Sequence, residues 1–243
     1  MLRHLGKKRG FKHDLGLATF LAFSAGFVNA AGFVAFGLLT TNVTGHTATL
    51  AIDLVNGEWY ASLRILFWLI LFLAGSFLSG LFIATVGPEK RGAYIGPVLG
   101  VILSLGLVCI FGKPGASLPL QYIYTGTLLF AMGMQNALVT VISGSVVRTT
   151  HLTGIFTDLG VDLARIVVLG KSKILWLRTV LRLTIISAFL LGGVAGAIGF
   201  HKYSFFAFLM PIAILIMTML YSWLRIGLKM TKRKIATPRT RLQ

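Results

Sequence analysis

The feature that most constrains this chain is a series of apolar runs, each about as long as a bilayer is thick. A helix needs about 20 mainly apolar residues to cross the hydrocarbon core. Six segments have that character: residues 15–39, 62–86, 92–112, 120–143, 178–200 and 204–225. Only 12% of the 243 residues are charged, whereas soluble domains carry about 25%. The sequence therefore predicts an all-α integral membrane protein.

Basic residues are concentrated at the two ends of the chain, whose net charge is +17. The tail 1–14 precedes the first apolar segment, and the tail 226–243 follows the last one. Because cytoplasmic flanks of membrane spans are rich in Lys and Arg, we expect both termini in the cytoplasm, next to the lipid bilayer. Apart from Phe11, the tails carry no aromatic residues for base stacking, so we expect no nucleic acid partner.

The chain contains an internal duplication. "FSAGFVNA" (23–30) is repeated as "FAMGMQNA" (130–137), and "NVTGHTATLAIDL" (42–54) as "HLTGIFTDLGVDL" (151–163). Thr44-Gly45 therefore corresponds to Thr153-Gly154, and Asp53 to Asp162. We divide the chain into a first membrane repeat (15–112), a polar inter-repeat loop (113–119) and a second membrane repeat (120–225).

The segments after the two Thr-Gly pairs decide the topology. Residues 45–56 would form a helix of about 18 Å, which is too short to cross a core of about 30 Å. If both segments enter and return, the chain has six transmembrane helices in two inverted three-span repeats, each with a short broken or re-entrant helix. If both cross, it has eight spans in parallel halves. Loop charges favour six by a small margin, since that arrangement places Lys90, Arg91 and Arg148 inside.

The paired motifs resemble those of the YoaK-like family of bacterial six-span inner-membrane proteins of unknown function. The likeness rests on "AGFVNAAGF", "TTNVTGHTATLA", "GMQNALVT" and "VRTTHLTGIFTDLG" and extends over essentially the whole chain between the basic tails. It implies six spans in a bacterial inner (cytoplasmic) membrane. Two positions depart from the family: Asn29 stands where the family often has Asp, and His46 where it often has Asn. The resemblance implies no substrate.

The polar residues of the motifs are candidates for binding a small solute. Broken helices expose backbone N–H groups, Thr44 or Thr153 could cap them, and Gly45 or Gly154 allows close approach of the backbone. The two motifs could face one another around a polar or anionic solute, or they could cap and pack without a ligand. The candidate binding residues are Asn29, Asn42, Thr44, Gly45, His46, Gln135, Asn136, His151, Thr153 and Gly154.

Two of these candidates have further alternatives. Asn29 and Asn136 could hydrogen-bond the broken backbone, a solute or simply a neighbouring helix. His46 and Asp53 share a helical face with Leu50, so they could form a titrating pair. A local partner for His46 is the alternative.

Four charged residues are candidates for coupling or gating: Asp53, Asp158, Asp162 and Arg165. The last three share a helical face, which favours an Asp–Arg ion pair near the cytoplasmic edge over a gate or a proton relay. Asp53 and Asp162 are the symmetric pair, and intramembrane carboxylates tend to be functional.

Three classes of function fit these patterns: a secondary transporter or channel for a small polar or anionic solute, a non-catalytic scaffold or lipid-binding protein, and an intramembrane enzyme. The duplication favours the first. No HExxH zinc pair and no GxxxxGK[ST] nucleotide loop occur, and Cys109 is the single cysteine, so we expect neither catalysis nor a cofactor or metal. Small-residue stretches at 75–80 and 192–199 could pack helices within the chain or in a homodimer.

Overall fold

The computed structural model describes residues 11–88, 90–143 and 152–220, and within these ranges the chain is helical and has no strand. Two short 3₁₀ helices lie at Arg91–Tyr94 and Ser204–Phe208. The α-helices, in chain order, are α1 (Phe11–Phe36), α2 (Val43–Val55), α3 (Trp59–Val86), α4 (Ile95–Phe111), α5 (Leu118–Ser143), α6 (Leu152–Leu169), α7 (Lys173–Tyr203) and α8 (209–220).

Four segments of the described chain are long and apolar enough to cross a membrane: Ala18–Phe36, Trp59–Val86, Gly92–Phe111 and Lys173–Leu220. The last segment contains two helices, because the chain turns at Ser204 (φ 51°) between α7 and α8. The 26-residue α5 is not among the four, although it is long enough. Its polar Gln121, Gln135 and Asn136 lower its hydropathy. The chain is thus a helical protein of membrane character.

The two short helices α2 and α6 occupy equivalent places in the two halves. α2 packs mainly against α3, and α6 packs against α7. Tight turns join each short helix to the long helix that follows it, and Gly57 (φ +74°) and Gly170 (φ +80°) supply the positive φ that these turns require. Each short helix therefore lies beside its own successor.

Helices α1 and α5, which carry the duplicated "FSAG" and "FAMG" motifs, run in opposite directions. The Gln135 side chain of α5 donates to the carbonyl of Leu21 on α1 (3.0 Å). Towards the other ends, the Tyr124 ring of α5 lies 6.1 Å from the Phe36 ring of α1. A late residue of α5 thus meets an earlier part of α1, and an early residue of α5 meets the end of α1.

Helices α3 and α5 run in the same direction. The Trp68 indole N–H of α3 donates to the Tyr122 carbonyl (3.1 Å), and the Ser76 hydroxyl, about two turns later, donates to the Gly133 carbonyl (3.0 Å). Since α5 is antiparallel to α1, α3 also runs opposite to α1. The 13-residue α2 therefore joins two long helices of opposite direction.

A Phe-x-x-Gly motif lies at the middle of each of the four long helices α1, α3, α5 and α7. In the α3–α5 pair, Gly75 faces the Phe130 carbonyl and Gly133 faces the Phe72 carbonyl. A Cβ at either glycine would overlap that carbonyl oxygen. The missing side chains therefore allow the backbones to approach closely, as small residues do in membrane helix pairs.

The α1–α7 pair has the same reciprocal arrangement. Gly26 faces the Phe189 carbonyl, and Gly192 faces the Phe23 carbonyl. Phe27 and Gly196 form a further close contact one turn later in both helices, so α1 and α7 are parallel. The duplicated motifs thus form two matching crossings, each between one helix of the first half and one helix of the second.

The buried core lies where α1, α4 and α5 meet, with Val28, Val101, Leu105, Leu128 and Met132 almost inaccessible. The outward faces remain apolar instead of polar. Helix α3, for example, exposes Leu63, Phe67, Ile70, Leu73 and Phe77. A large exposed apolar face marks contact with another apolar phase, and lipid fits the length of this helix.

Candidate functional site

The first turn of α2 is built around Asn42, not around a threonine. α2 begins at Val43, and Asn42 is its N-cap, accepting from the Gly45 N–H through its side-chain oxygen (3.0 Å). The expectation that Thr44 caps this helix is wrong, because Thr44 is already inside the first turn and its side chain is exposed. A Cβ at Gly45 would collide with the Asn42 side chain, so the glycine makes room for the cap.

Asn29 holds the loop that leads into α2. Its side-chain oxygen accepts from the Thr41 backbone N–H (3.1 Å) and from the Thr41 hydroxyl (2.9 Å). Asn29 lies six residues beyond Phe23, about 9 Å from the middle of α1 at the helical rise. The loop therefore folds back from the C-terminal end of α1 towards its middle. The first turn of α2 starts near the level of Asn29.

His46 has a local partner. Its ring is buried, its Nε2 lies 2.7 Å from the Leu39 carbonyl, and it meets the Trp68 ring edge-on at 6.1 Å. No salt bridge links it to Asp53, which is half-buried and has no ion pair in the part of the chain that the structure describes. The local alternative for His46 is therefore the one that the structure shows.

An ion cluster joins α6 to α7. Arg182 of α7 contacts Asp162, which is 2% exposed, and lies 3.2 Å from the exposed Asp158. The expectation of an Asp–Arg pair on α6 is right for the aspartates and wrong for the arginine, because Arg165 is exposed and forms no ion pair among the described residues. A charged residue within the apolar segment 178–200 was the sequence signal for Arg182.

The two halves differ at this cluster. Counted from the central phenylalanines Phe189 and Phe72, the first-half position equivalent to Arg182 is Ile65, which is buried. Asp53 therefore has no counterpart of the Arg182 contact, while the charge of Asp162 is compensated. The symmetric carboxylates lie in different electrostatic surroundings.

Gln135 connects the two halves at the contact of α5 with α1. Its side chain is fully buried, its Nε2 donates to the Leu21 carbonyl (3.0 Å), and its Oε1 finds no partner among the described residues. The adjacent Asn136 is 8% exposed. Gln135 thus forms an interhelical hydrogen bond and keeps one free acceptor oxygen.

The second Thr-Gly motif is open. Thr153 and Gly154 are exposed, and a Cβ at Gly154 would meet nothing within 4 Å. Extended contacts of α6 within the described residues are with α7, and those of α2 are with α3, so the two Thr-Gly motifs do not pack together. His151 lies outside the described residues, as do Arg148, residues 1–10 of the N-terminal tail and the C-terminal tail. Residues 11–14 of the N-terminal tail belong to the first turn of α1.

Within the described ranges, no group of three or more His, Cys, Asp or Glu residues is placed to hold a metal ion. Comparison with curated proteins gives no match, and comparison with solved structures gives none either. A family model described as "Protein of unknown function (DUF1275)" matches residues 17–221, which include both Thr-Gly motifs and the four mid-helix Phe-x-x-Gly motifs. That family is consistent with the resemblance to YoaK-like proteins. The chain belongs to the DUF1275 family of proteins of unknown function.

Proposed function

We propose that the chain crosses the membrane six times as two inverted three-span repeats, with α2 and α6 as re-entrant helices. The main support is that α1 and α5, which carry equivalent motifs, run in opposite directions. If α2 crossed the membrane, α3 would run parallel to α1. Instead α3 runs parallel to α5, and therefore antiparallel to α1. The length of α2 agrees, because 13 residues span only about 20 Å as helix. The 18 residues of α6 span about 27 Å, so its assignment rests on direction: α5 and α7, which it joins, run opposite to each other.

In this proposal both termini are cytoplasmic, and the membrane is the bacterial inner membrane. The charges of the two equivalent turns support the orientation. The α6–α7 turn carries Lys171 and Lys173, whereas the α2–α3 turn carries Glu58. Lys and Arg favour the cytoplasmic side.

The topology is tested by cysteine labelling in a Cys109→Ala background. Cysteines at Asn56 and at Ser172, both exposed turn positions, should react with a membrane-impermeant maleimide from opposite sides. Labelling of both from the same side would contradict the inverted arrangement.

We propose that this architecture serves secondary transport, or passive conduction, of a small polar or anionic solute. The observation that carries the proposal is the opposite direction of the equivalent helices α1 and α5. Inverted repeats with broken helices are a recurrent transporter design, in which one half rocks against the other around a site near the midplane. No catalytic step is assigned, and a homodimer through the small-residue faces is compatible with this role.

The N-terminal turn of α2 is the proposed solute contact in the first half. The backbone N–H groups of Val43 and Thr44 have no acceptor among the described residues. They lie near the depth of Asn29, at the positive end of a helix, where an anion or a polar oxygen is favoured. No solute contact is assigned to Thr153 and Gly154, which are exposed and do not pack against the first motif.

The transport proposal is tested with purified protein in liposomes that are incubated in a filtered extract of polar metabolites. Solutes that enter are identified by mass spectrometry. We expect at least one polar solute to enter wild-type vesicles and not vesicles carrying Gly45→Leu, because the larger side chain displaces the Asn42 cap. Equal contents in wild-type, variant and empty vesicles would overturn the proposal.

Once a solute is known, the carboxylates can be tested for coupling to a proton gradient. If Asp53 or Asp162 carries a coupling proton, the Asp→Asn variants should exchange the solute without uphill accumulation. Normal accumulation by both variants would remove the carboxylates from coupling.

A further inference from the structure

We propose that the Oε1 of Gln135 and the Oγ of Ser24 form part of a binding site for a small monovalent cation, between α1 and α5 near the middle of the membrane. The role of this ion as a coupling ion rests on the proposed transport function. Its binding does not, and can be measured separately.

The position of the Gln135 amide defines which of its atoms is free. The Leu21 carbonyl can only accept a hydrogen bond, so the atom 3.0 Å from it must be the donor Nε2. The oxygen Oε1 then points away from that carbonyl. Gln135 is 0% exposed and Oε1 has no partner among the described residues. An unpaired amide oxygen in an apolar interior is costly, which favours a bound ligand.

Ser24 carries a second unpaired oxygen on the part of α1 that this amide contacts. It lies three residues after Leu21, and residues three apart on a helix are neighbours on one face. Its side chain is 0% exposed, and its Oγ has no partner among the described residues. Ser104 of α4 is different, since its hydroxyl donates to the Gly100 carbonyl one turn back (2.9 Å). Ser24 does not make this usual intrahelical bond.

The depth of the pair fits an intramembrane ion site. Ser24 is adjacent to Phe23, at the middle of α1. Gln135 is five residues beyond Phe130, about 8 Å along α5 from its middle at the helical rise. The surroundings are the buried α1–α4–α5 core. Water is scarce at this depth, so the oxygens gain much from any ligand that fits them.

The chemistry of the two oxygens selects the ligand. An amide Oε1 only accepts, so it repels an anion and attracts a cation. Neither side chain titrates, so neither can carry a coupling proton. Divalent ions prefer carboxylate ligands, whereas carbonyl and hydroxyl oxygens suit Na⁺ or K⁺. Asp162 is engaged by Arg182. Water or the solute would complete the coordination.

The test measures the thermal unfolding midpoint of the full-length protein in detergent, in NaCl, KCl or choline chloride at equal ionic strength. We expect Na⁺ or K⁺ to raise the wild-type midpoint by about 3 °C or more above choline at concentrations tenfold above the dissociation constant. Ser24→Ala and Gln135→Leu should lose most of this shift. Ser104→Ala, which also removes a buried hydroxyl, should keep it.

Gln135→Leu also breaks the bond to Leu21 and could prevent folding, so Ser24→Ala, which leaves that bond intact, decides the question. Equal midpoints in all three salts, or a full Na⁺ or K⁺ response in Ser24→Ala, would overturn the inference. Cation binding without any solute uptake would support this site and count against transport. Solute uptake without a cation-specific shift would count against this site and support transport.

Discussion

Replacing Gly75 of α3 by alanine should loosen the crossing of α3 with α5. A Cβ at this position would overlap the Phe130 carbonyl oxygen and lie 3.0 Å from its carbon, closer than ordinary van der Waals contact. The obstacle is backbone, which cannot rotate away as a side chain can. The two helices would therefore have to separate by on the order of 1 Å, which would weaken contacts along the whole crossing.

The magnitude follows from a comparison with Gly80, five residues later on the same helix. A Cβ at Gly80 would meet nothing within 4 Å. Both substitutions gain the same helix propensity, up to about 1 kcal/mol in favour of alanine, so this gain cancels in the difference. Overpacking costs about 1–3 kcal/mol. We therefore expect Gly75→Ala to be less stable than Gly80→Ala by about 1–3 kcal/mol in the free energy of unfolding.

The assay is reversible unfolding in mixed micelles titrated with SDS, followed by tryptophan fluorescence, because Trp68 lies in this same crossing. The matching crossing supplies an independent repeat, since Gly192 of α7 faces the Phe23 carbonyl in the same way. Equal stability of Gly75→Ala and Gly80→Ala would refute the reasoning that close backbone contact at the motif holds the two halves together.

Two further predictions concern the short helices. Gly45→Ala should reduce the free energy of unfolding by about 1 kcal/mol, the usual value of an N-cap, because the new Cβ displaces the Asn42 side chain. Gly154→Ala should be neutral or slightly stabilising, because its Cβ meets nothing. Thermal midpoints that fall equally in both variants would contradict this difference. Arg182→Met should lower the free energy of unfolding by about 3–5 kcal/mol, because it leaves Asp162 buried without its partner. Adding Asp162→Asn should restore part of that loss in the same SDS titration. No recovery in the double variant would show that the ion pair is not the cause.

The sequence by itself determined the class of the protein and the places of its main elements. Apolar length predicted helices near their observed positions: 62–86 became Trp59–Val86, and 120–143 became Leu118–Ser143. The duplication predicted a short helix after each first span, and α2 and α6 are those helices. Such features are local, because hydrophobic length and a repeated motif can be read without knowing which helix is the neighbour.

Tertiary structure decided which polar groups meet. The sequence placed Asp158 and Asp162 on one face and paired them with Arg165, three residues further on, but the arginine that reaches them is Arg182 on another helix. Gln135 and Leu21 are 114 residues apart and form a buried hydrogen bond. No periodicity within one helix can predict contacts of this kind.

Tertiary structure also decided the relative direction of the equivalent helices α1 and α5. Loop charges favoured inversion by only a small margin, whereas the contacts of Gln135 and Tyr124 with α1 give α1 and α5 opposite directions. The Phe-x-x-Gly pattern occurs five times in the sequence. At the middle of four helices a partner backbone lies where the glycine Cβ would be, whereas the Gly80 of the fifth copy has nothing within 4 Å. A glycine that allows a close helix contact and a glycine with open space around it look alike in the sequence. They differ only in the folded protein, because the contacting backbone belongs to a distant part of the chain.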